Sequence, residues 1–301
     1  MDRVRKQLEV PGKIEKKSEK VNVAVLDTGI GHHPDLAGKT LGFRDFVQNK
    51  KIMYDDNGHG THVCGIICGT GILSGGVQRG MAPEAGLVVG KVLDKNGDGT
   101  TEDMLAGLRW IGEVKDRLRI RVLNVSVGIG MLDNVKKEEL LKTQLDMLWD
   151  QGVFVVCAAG NKGPANNSIS ALGCGGKIVT VGCHDGSFFL ENAHRCESYS
   201  GRGTAFSAMR KPDLVAPGTD IVSCNVECHK KNGKWLLPYV AKSGTSMATP
   251  IVAGAAVIAF EKYPHMTNEE LKYKMTLTAT DLGEPWNKQG WGMINVRRLL
   301  E

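Results

Sequence analysis

The 301-residue sequence predicts an α/β fold, a three-layer doubly wound and mostly parallel sheet, on two observations of pattern and one of size. Residues 21–26, 87–93, 122–127, 153–158 and 178–181 are short, nearly continuous runs rich in Val, Leu and Ile, as parallel strands buried on both faces require. Between them, residues 101–117 and 134–151 carry helical spacing, with Met104, Leu105, Leu108 and Ile111 on one face of the first. At 42% hydrophobic, the chain has enough apolar surface for one large domain over residues 21–301. No period of roughly 20–50 residues recurs, which argues against a solenoid.

In chain order, a basic N-terminal arm comes first. Residues 1–20 hold seven Lys and Arg against four Asp and Glu, so +3 of the +5 net charge sits there. The arm reads as a solvated tether, and no nucleic-acid partner is expected from it. Met1-Asp2-Arg3-Val4-Arg5-Lys6 is followed by none of the apolar run of a secretory signal. Several of the eight cysteines sit in apolar runs, Cys64, Cys68 and Cys157 among them, and read as buried free thiols. Both readings point to a reducing, cytoplasmic setting. Zinc is the competing use of Cys64-x3-Cys68 and Cys224-x3-Cys228, but neither pair has a second half at zinc-finger spacing. The apolar run at residues 251–260 is broken by Gly254 and is too short to span a bilayer, so no membrane association is expected. Nothing in the sequence supports an oligomer, although one is possible.

Four separated segments then carry chemistry: Val25-Leu26-Asp27-Thr28-Gly29, Asn57-Gly58-His59-Gly60-Thr61-His62-Val63, Ala158-Ala159-Gly160-Asn161, and Ser243-Gly244-Thr245-Ser246-Met247-Ala248-Thr249-Pro250. Asp27 follows the first strand, Ser126 ends the third and Asn161 follows the fourth. Ligands of open α/β sheets bind outside the carboxyl ends of the strands. His59 and Ser246 each open a Gly- and Ala-rich apolar run that reads as a buried helix, which requires Pro250 to lie in its first turn. A serine hydroxyl becomes a useful nucleophile with a histidine base, a carboxylate to orient that base, and donors for the oxyanion. Spacing alone leaves His59 and His62 both open as the base, and composition leaves Ser246 as one hydroxyl among Ser243, Thr245 and Thr249.

At these segments, in the order Asp, His, Ser, the sequence resembles the subtilisin-like serine proteases from about residue 21 to residue 295. The resemblance implies an endopeptidase working through an acyl-enzyme on protein or peptide substrates, with no cofactor required for the chemistry. It implies Asp27 as orienting carboxylate, His59 as base, Ser246 as nucleophile and Asn161 as oxyanion donor, leaving His62 as a structural core histidine. Thr249 stands where many relatives have Ser. Asn96-Gly97-Asp98-Gly99 and Ser126-Val127-Gly128 resemble the two family segments that pair with an extended substrate, so Gly97, Asp98, Gly99, Ser126, Val127 and Gly128 are expected to bind it. Ala158, Ala159 and Gly160 would line the primary specificity pocket, with no acidic residue placed there, so an apolar or broad preference follows.

Asp35 matches a family calcium ligand, which implies a possible structural calcium, although residues 72–77 lack the expected Asn. Asp94-Lys95-Asn96-Gly97-Asp98-Gly99 imitates the start of an EF-hand but has Leu105 where a bidentate Glu is needed. Gly42-Phe43-Arg44-Asp45-Phe46 and Arg79-Gly80-Met81-Ala82-Pro83 look most like bacterial intracellular or minor members of the family. Intracellular relatives resemble this layout in having a short extension that can lie across the cleft, which leaves two readings open for the arm: Leu8-Glu9-Val10-Pro11-Gly12 inhibits until the chain is cut near Lys16 or Lys17, or the terminus is a tail with no role. The rival readings are a catalytically silent binding scaffold, or a cysteine or zinc enzyme built on Cys64 and His62.

Overall fold

Seven parallel strands form the central sheet of the computed structural model, which describes residues 1–12, 20–127, 135–186, 195–203 and 210–301. The strands are β1 (Asn22–Asp27), β2 (Thr40–Asp45), β3 (Leu87–Lys91), β4 (Ile120–Val125), β5 (Phe154–Ala158), β6 (Val179–Cys183) and β7 (Leu214–Ala216), in the order β2-β3-β1-β4-β5-β6-β7. The register sets Asp27 beside Lys91 and Leu26 beside Val125. Every residue of β1, β3, β5 and β6 is buried, because helices cover both faces.

The helices are α1 (Asp2–Gln7), α2 (His59–Cys68), α3 (Thr101–Val114), α4 (Val135–Asp150), α5 (Thr245–Lys262), α6 (Asn268–Leu277), α7 (Trp286–Gln289) and α8 (Val296–Leu300). α3 packs against α4, while α5 packs against α2 and across β4, β5 and β6. The five expected strands and two expected helices are all present within a few residues of their expected limits. Outside the main sheet, β8 (Ile221–Cys224) pairs antiparallel with β11 (Tyr239–Lys242), and β9 (His229–Lys231) pairs with β10 (Lys234–Leu236) in an exposed hairpin. No described helix is long and apolar enough to cross a membrane.

Three expectations are corrected. Residues 1–12 are not a solvated arm: Met1, Val4 and Leu8 are buried in the main core. Arg3 donates to the Thr219 carbonyl, Arg5 to those of Gly80 and Met81, and Gln7 to that of Asp185. The Leu8 carbonyl accepts from the Val296 N–H and Glu9 accepts from Asn295, so Leu8 and Glu9 are held against the C-terminal elements. Lys16 and Lys17 lie outside the described residues. Secondly, Cys183 and Cys196 form a disulfide across a Cα–Cα distance of 5.7 Å, which removes two of the eight expected free thiols. The cytoplasmic reading loses that premise. Thirdly, α5 begins at Thr245, so Pro250 is its sixth residue and not in the first turn. Its missing N–H deprives the Ser246 carbonyl of the usual partner four residues on, and the helix continues because its apolar surface is buried all round.

Candidate active site

The turn after β1 and the start of α2 meet because two glycines allow it. Gly58 caps α2 with φ of 91°, and a Cβ on Gly60 would stand 2.2 Å from the Gly29 carbonyl oxygen. This close approach places the His59 ring against Asp27, with His59 Nδ1 2.7 Å from Asp27 Oδ1. The same oxygen accepts the Thr28 N–H at 2.8 Å, and Asp27 is fully buried. Nδ1–H is therefore the donor to Asp27, and Nε2 is left bare; among the described residues no hydrogen bond occupies it. Burial pushes the His59 pKa down, but the charge and hydrogen bond of Asp27 outweigh it and hold the pKa above the ordinary imidazole value. Lys242, the last residue of β11, opposes that rise.

Ser246 is the half-buried second residue of α5. The N–H groups of a first helical turn have no intrahelical partners. Here the Thr245 N–H goes to Asn161 Oδ1 at 3.1 Å and the Met247 N–H to the Gly244 carbonyl at 3.0 Å. The Ser246 N–H between them has no partner among the described residues. Thr245 Oγ1 also donates to Asn161 Oδ1, at 3.0 Å. With its oxygen fixed by two donors, the exposed Asn161 amide turns Nδ2 away from Thr245; the position of a Cβ on Gly244 would be 3.1 Å from it. α2, which begins at His59, packs against α5, whose second residue is Ser246.

His62 is a core residue, as the family resemblance implied. Its Nε2–H is shared between the carbonyls of Ile221 (2.9 Å) and Val240 (3.1 Å), clamping α2 to the β8–β11 pair. Burial, with Lys242 and His59 nearby, lowers its pKa to about 3, so it stays neutral.

Sequence reasoning missed three supports. Asp55 is a buried hub: Oδ1 accepts from Thr28 Oγ1, Asn57 N and Gly58 N, and Oδ2 from Thr61 N and Thr61 Oγ1. One carboxylate thereby fastens the turn after Asp27 to the start of α2. Burial works against its charge, but the Thr61, Gly58 and Thr28 donors win and hold its pKa below the ordinary value. Lys91 is fully buried and donates at 2.7 Å to the carbonyls of Thr28 and Leu93 and to Asp56. Thr245 is the third. A Lys ending a buried strand and an Asp four residues before His59 were the available signals.

Of the expected substrate-binding residues, Gly97, Asp98 and Gly99 lie in an exposed turn organised by Asp94 Oδ1, which accepts from Asn96 N and Asp98 N. Ser126 and Val127 continue β4 and are buried, and Ser126 Oγ accepts from Asn124. Gly128 lies outside the described residues. Ala158, Ala159 and Gly160 are buried at the end of β5, with the Ala158 and Ala159 carbonyls accepting from Ser170 and that of Gly160 from Gly201.

Asp35 is remote from these groups in chemistry. Calcium takes six to eight oxygen ligands. Asp35 Oδ1 accepts from the Leu73 N–H and Oδ2 from Tyr239 Oη, and among described His, Cys, Asp and Glu side chains it is grouped with the His33 imidazole and the Cys224 thiol. An imidazole and a thiol beside a single carboxylate are a poor donor set for calcium, which takes oxygen.

The family description "Subtilase family" matches residues 18–292. Serine protease AprX of Bacillus subtilis (strain 168) is 38% identical over 289 residues, covering 92% of this chain and 65% of its own length. The chain thus spans just under two thirds of that relative. Subtilisin Savinase of Lederbergia lenta is 35% identical over 276 residues, with 92% of this chain and 89% of that protein covered. Among solved structures, the S41 psychrophilic protease superposes with a TM-score of 0.74 at 30% identity, over 92% of this chain and 91% of that one. A cold-adapted subtilisin-like serine proteinase gives 0.70 at 28%, over 95% and 90%. With the Asp27–His59 pair, the Asn161–Thr245 link and the start of α5 in this arrangement, the chain belongs to the subtilase family of serine peptidases.

Proposed function

We propose that the chain is a serine endopeptidase that cleaves peptide bonds through an acyl-enzyme. The observation that carries this reading is the 2.7 Å Asp27–His59 pair, which leaves Nε2 bare on α2, the helix packed against α5. Ser246 Oγ attacks the scissile carbonyl carbon, and its proton passes to His59 Nε2. Asp27 holds the imidazole in the Nδ1–H tautomer and stabilises the imidazolium. Negative charge on the former carbonyl oxygen meets the Ser246 N–H and Asn161 Nδ2, both oriented before reaction by the Thr245 links. Collapse expels the amine, which takes the proton from His59. Water then repeats the sequence on the ester. The exposed 97–99 turn and the 126–127 segment support binding of an extended protein or peptide substrate between them, and the apolar Ala158-Ala159-Gly160 end of β5 supports an apolar or broad preference at the primary pocket.

A fluorophosphonate probe tests the reading. It should label Ser246, and Ser246→Ala should lose both labelling and casein hydrolysis while keeping its circular dichroism. Label on another residue would overturn the assignment. Asn161→Ala should reduce kcat about 10²–10³-fold with little change in KM, the size of effect already known for this donor in a subtilisin.

A further inference from the structure

Cys224-x3-Cys228 has no second half in the sequence, but the fold sets Cys224, without Cys228, in a different cluster. His33, Asp35 and Cys224 are buried, and one ligand atom from each lies within 4.8 Å of the others. They come from separate elements, His33 and Asp35 from the segment after β1 and Cys224 from the end of β8. His33 Nε2–H donates to the Pro238 carbonyl at 2.7 Å, which fixes the tautomer with an unprotonated Nδ1; that nitrogen now accepts the Asp35 N–H at 3.1 Å. A metal-binding histidine is held in this way, with its other ring nitrogen on a carbonyl. Asp35 is likewise oriented from outside by Tyr239 Oη and the Leu73 N–H, each carboxylate oxygen retaining a lone pair. Of the three residues, His33 also lines a cavity of about 1070 Å³, together with Leu73 and Cys228.

We propose that His33 Nδ1, Asp35 and Cys224 Sγ bind one zinc ion, or a similarly thiophilic divalent cation. One imidazole, one carboxylate and one thiolate suit zinc and not calcium. Zinc bonds of about 2.0–2.3 Å require the three atoms to close to roughly 3.5 Å of one another. On binding, the Cys224 S–H proton leaves for solvent and a Zn–S bond replaces it; His33 Nδ1, already unprotonated, releases none. The Asp35 N–H, now 3.1 Å from Nδ1, gives up that contact. The ion would tie the segment after Asp27 to the β8–β11 pair, and β11 leads directly to Ser243 and the start of α5.

The site is independent of the peptidase reading, so the test uses the full-length Ser246→Ala protein, stripped with a chelator. Cobalt(II) should give one equivalent of a thiolate-to-metal charge-transfer band that zinc displaces, and zinc should raise Tm and release one proton by calorimetry in two buffers. His33→Ala and Cys224→Ser should each lose the band and weaken zinc binding by more than about 100-fold, beyond the ~10–100-fold cost of losing an outer partner. Asp35→Asn, which keeps an acceptor for Leu73, should also lose tight binding. Cys174→Ser, at an exposed free thiol, should bind as the parent does. Absence of the band in the parent, its survival in His33→Ala or Cys224→Ser, or its loss in Cys196→Ser alone would overturn the assignment.

Discussion

His59 and Asp55 show how burial and pairing compete at single residues. At His59, burial disfavours the imidazolium, yet Asp27 at 2.7 Å more than restores it. A base must be neutral to accept the Ser246 proton, so kcat/KM should fall as pH drops through a value above the ordinary imidazole pKa. Lys242 acts in the opposite sense, and Lys242→Gln should move that acid limb to still higher pH. A pH profile at low ionic strength checks this, and added salt should reduce the difference between the two proteins. Asp55 is a stability case. Its folded-state pKa lies below its unfolded one, so its contribution is complete above the ordinary carboxylate pKa and is lost as pH falls through the folded-state value. Asp55→Asn replaces an acceptor oxygen by a donor facing N–H and O–H groups. It should cost about 2–4 kcal/mol at neutral pH in urea unfolding, and the acid-side decline in stability should become shallower.

At the scale of elements, α1 is a six-residue helix too short to be stable alone. Its stability comes from docking: Val4 and Leu8 are each 1% exposed, and Leu8 also bonds through its carbonyl to the start of α8. Leu8→Ala should therefore destabilise the whole protein by about 2–5 kcal/mol. Early activity should not rise, as it would if this stretch blocked the cleft; progress curves recorded beside the unfolding data separate the two. α5 is the other instructive element. An internal proline would normally break an exposed helix, but α5 is buried from Thr245 to Glu261 except at Ser246, and packing holds it together.

For the whole molecule, the sheet and the cross-links are decided by contacts far apart in sequence. The Cys183–Cys196 bridge joins the end of β6 to the short helical turn Cys196–Ser198, and Cys64, Cys68, Cys157, Cys174, Cys224 and Cys228 are free. Denatured, unreduced protein should react with about six equivalents of a thiol reagent, rising to eight after reduction. Eight without reduction would mean that the bridge does not form.

The sequence by itself determined the α/β class and the principal strands, and through its resemblance to subtilases it singled out Asp27, His59, Asn161 and Ser246 as candidates. Strand runs and glycine-bound motifs are local signals: a buried parallel strand must be continuously apolar, and the close approach of α2 to the turn after β1 demands Gly60. Tertiary structure alone decided what joins the segments. Asp55, Lys91 and Thr245 look like ordinary polar residues until the fold removes water around them and leaves specific N–H, O–H and C=O groups to be satisfied. Residues 1–12 read as a charged tail because Val4 and Leu8 are too few to show a pattern, and only the groove they enter makes them core. The same holds for His33, Asp35 and Cys224, which are separated by nearly two hundred residues. A ligand set is a distance relation in space, and sequence spacing records it only when the ligands share one element.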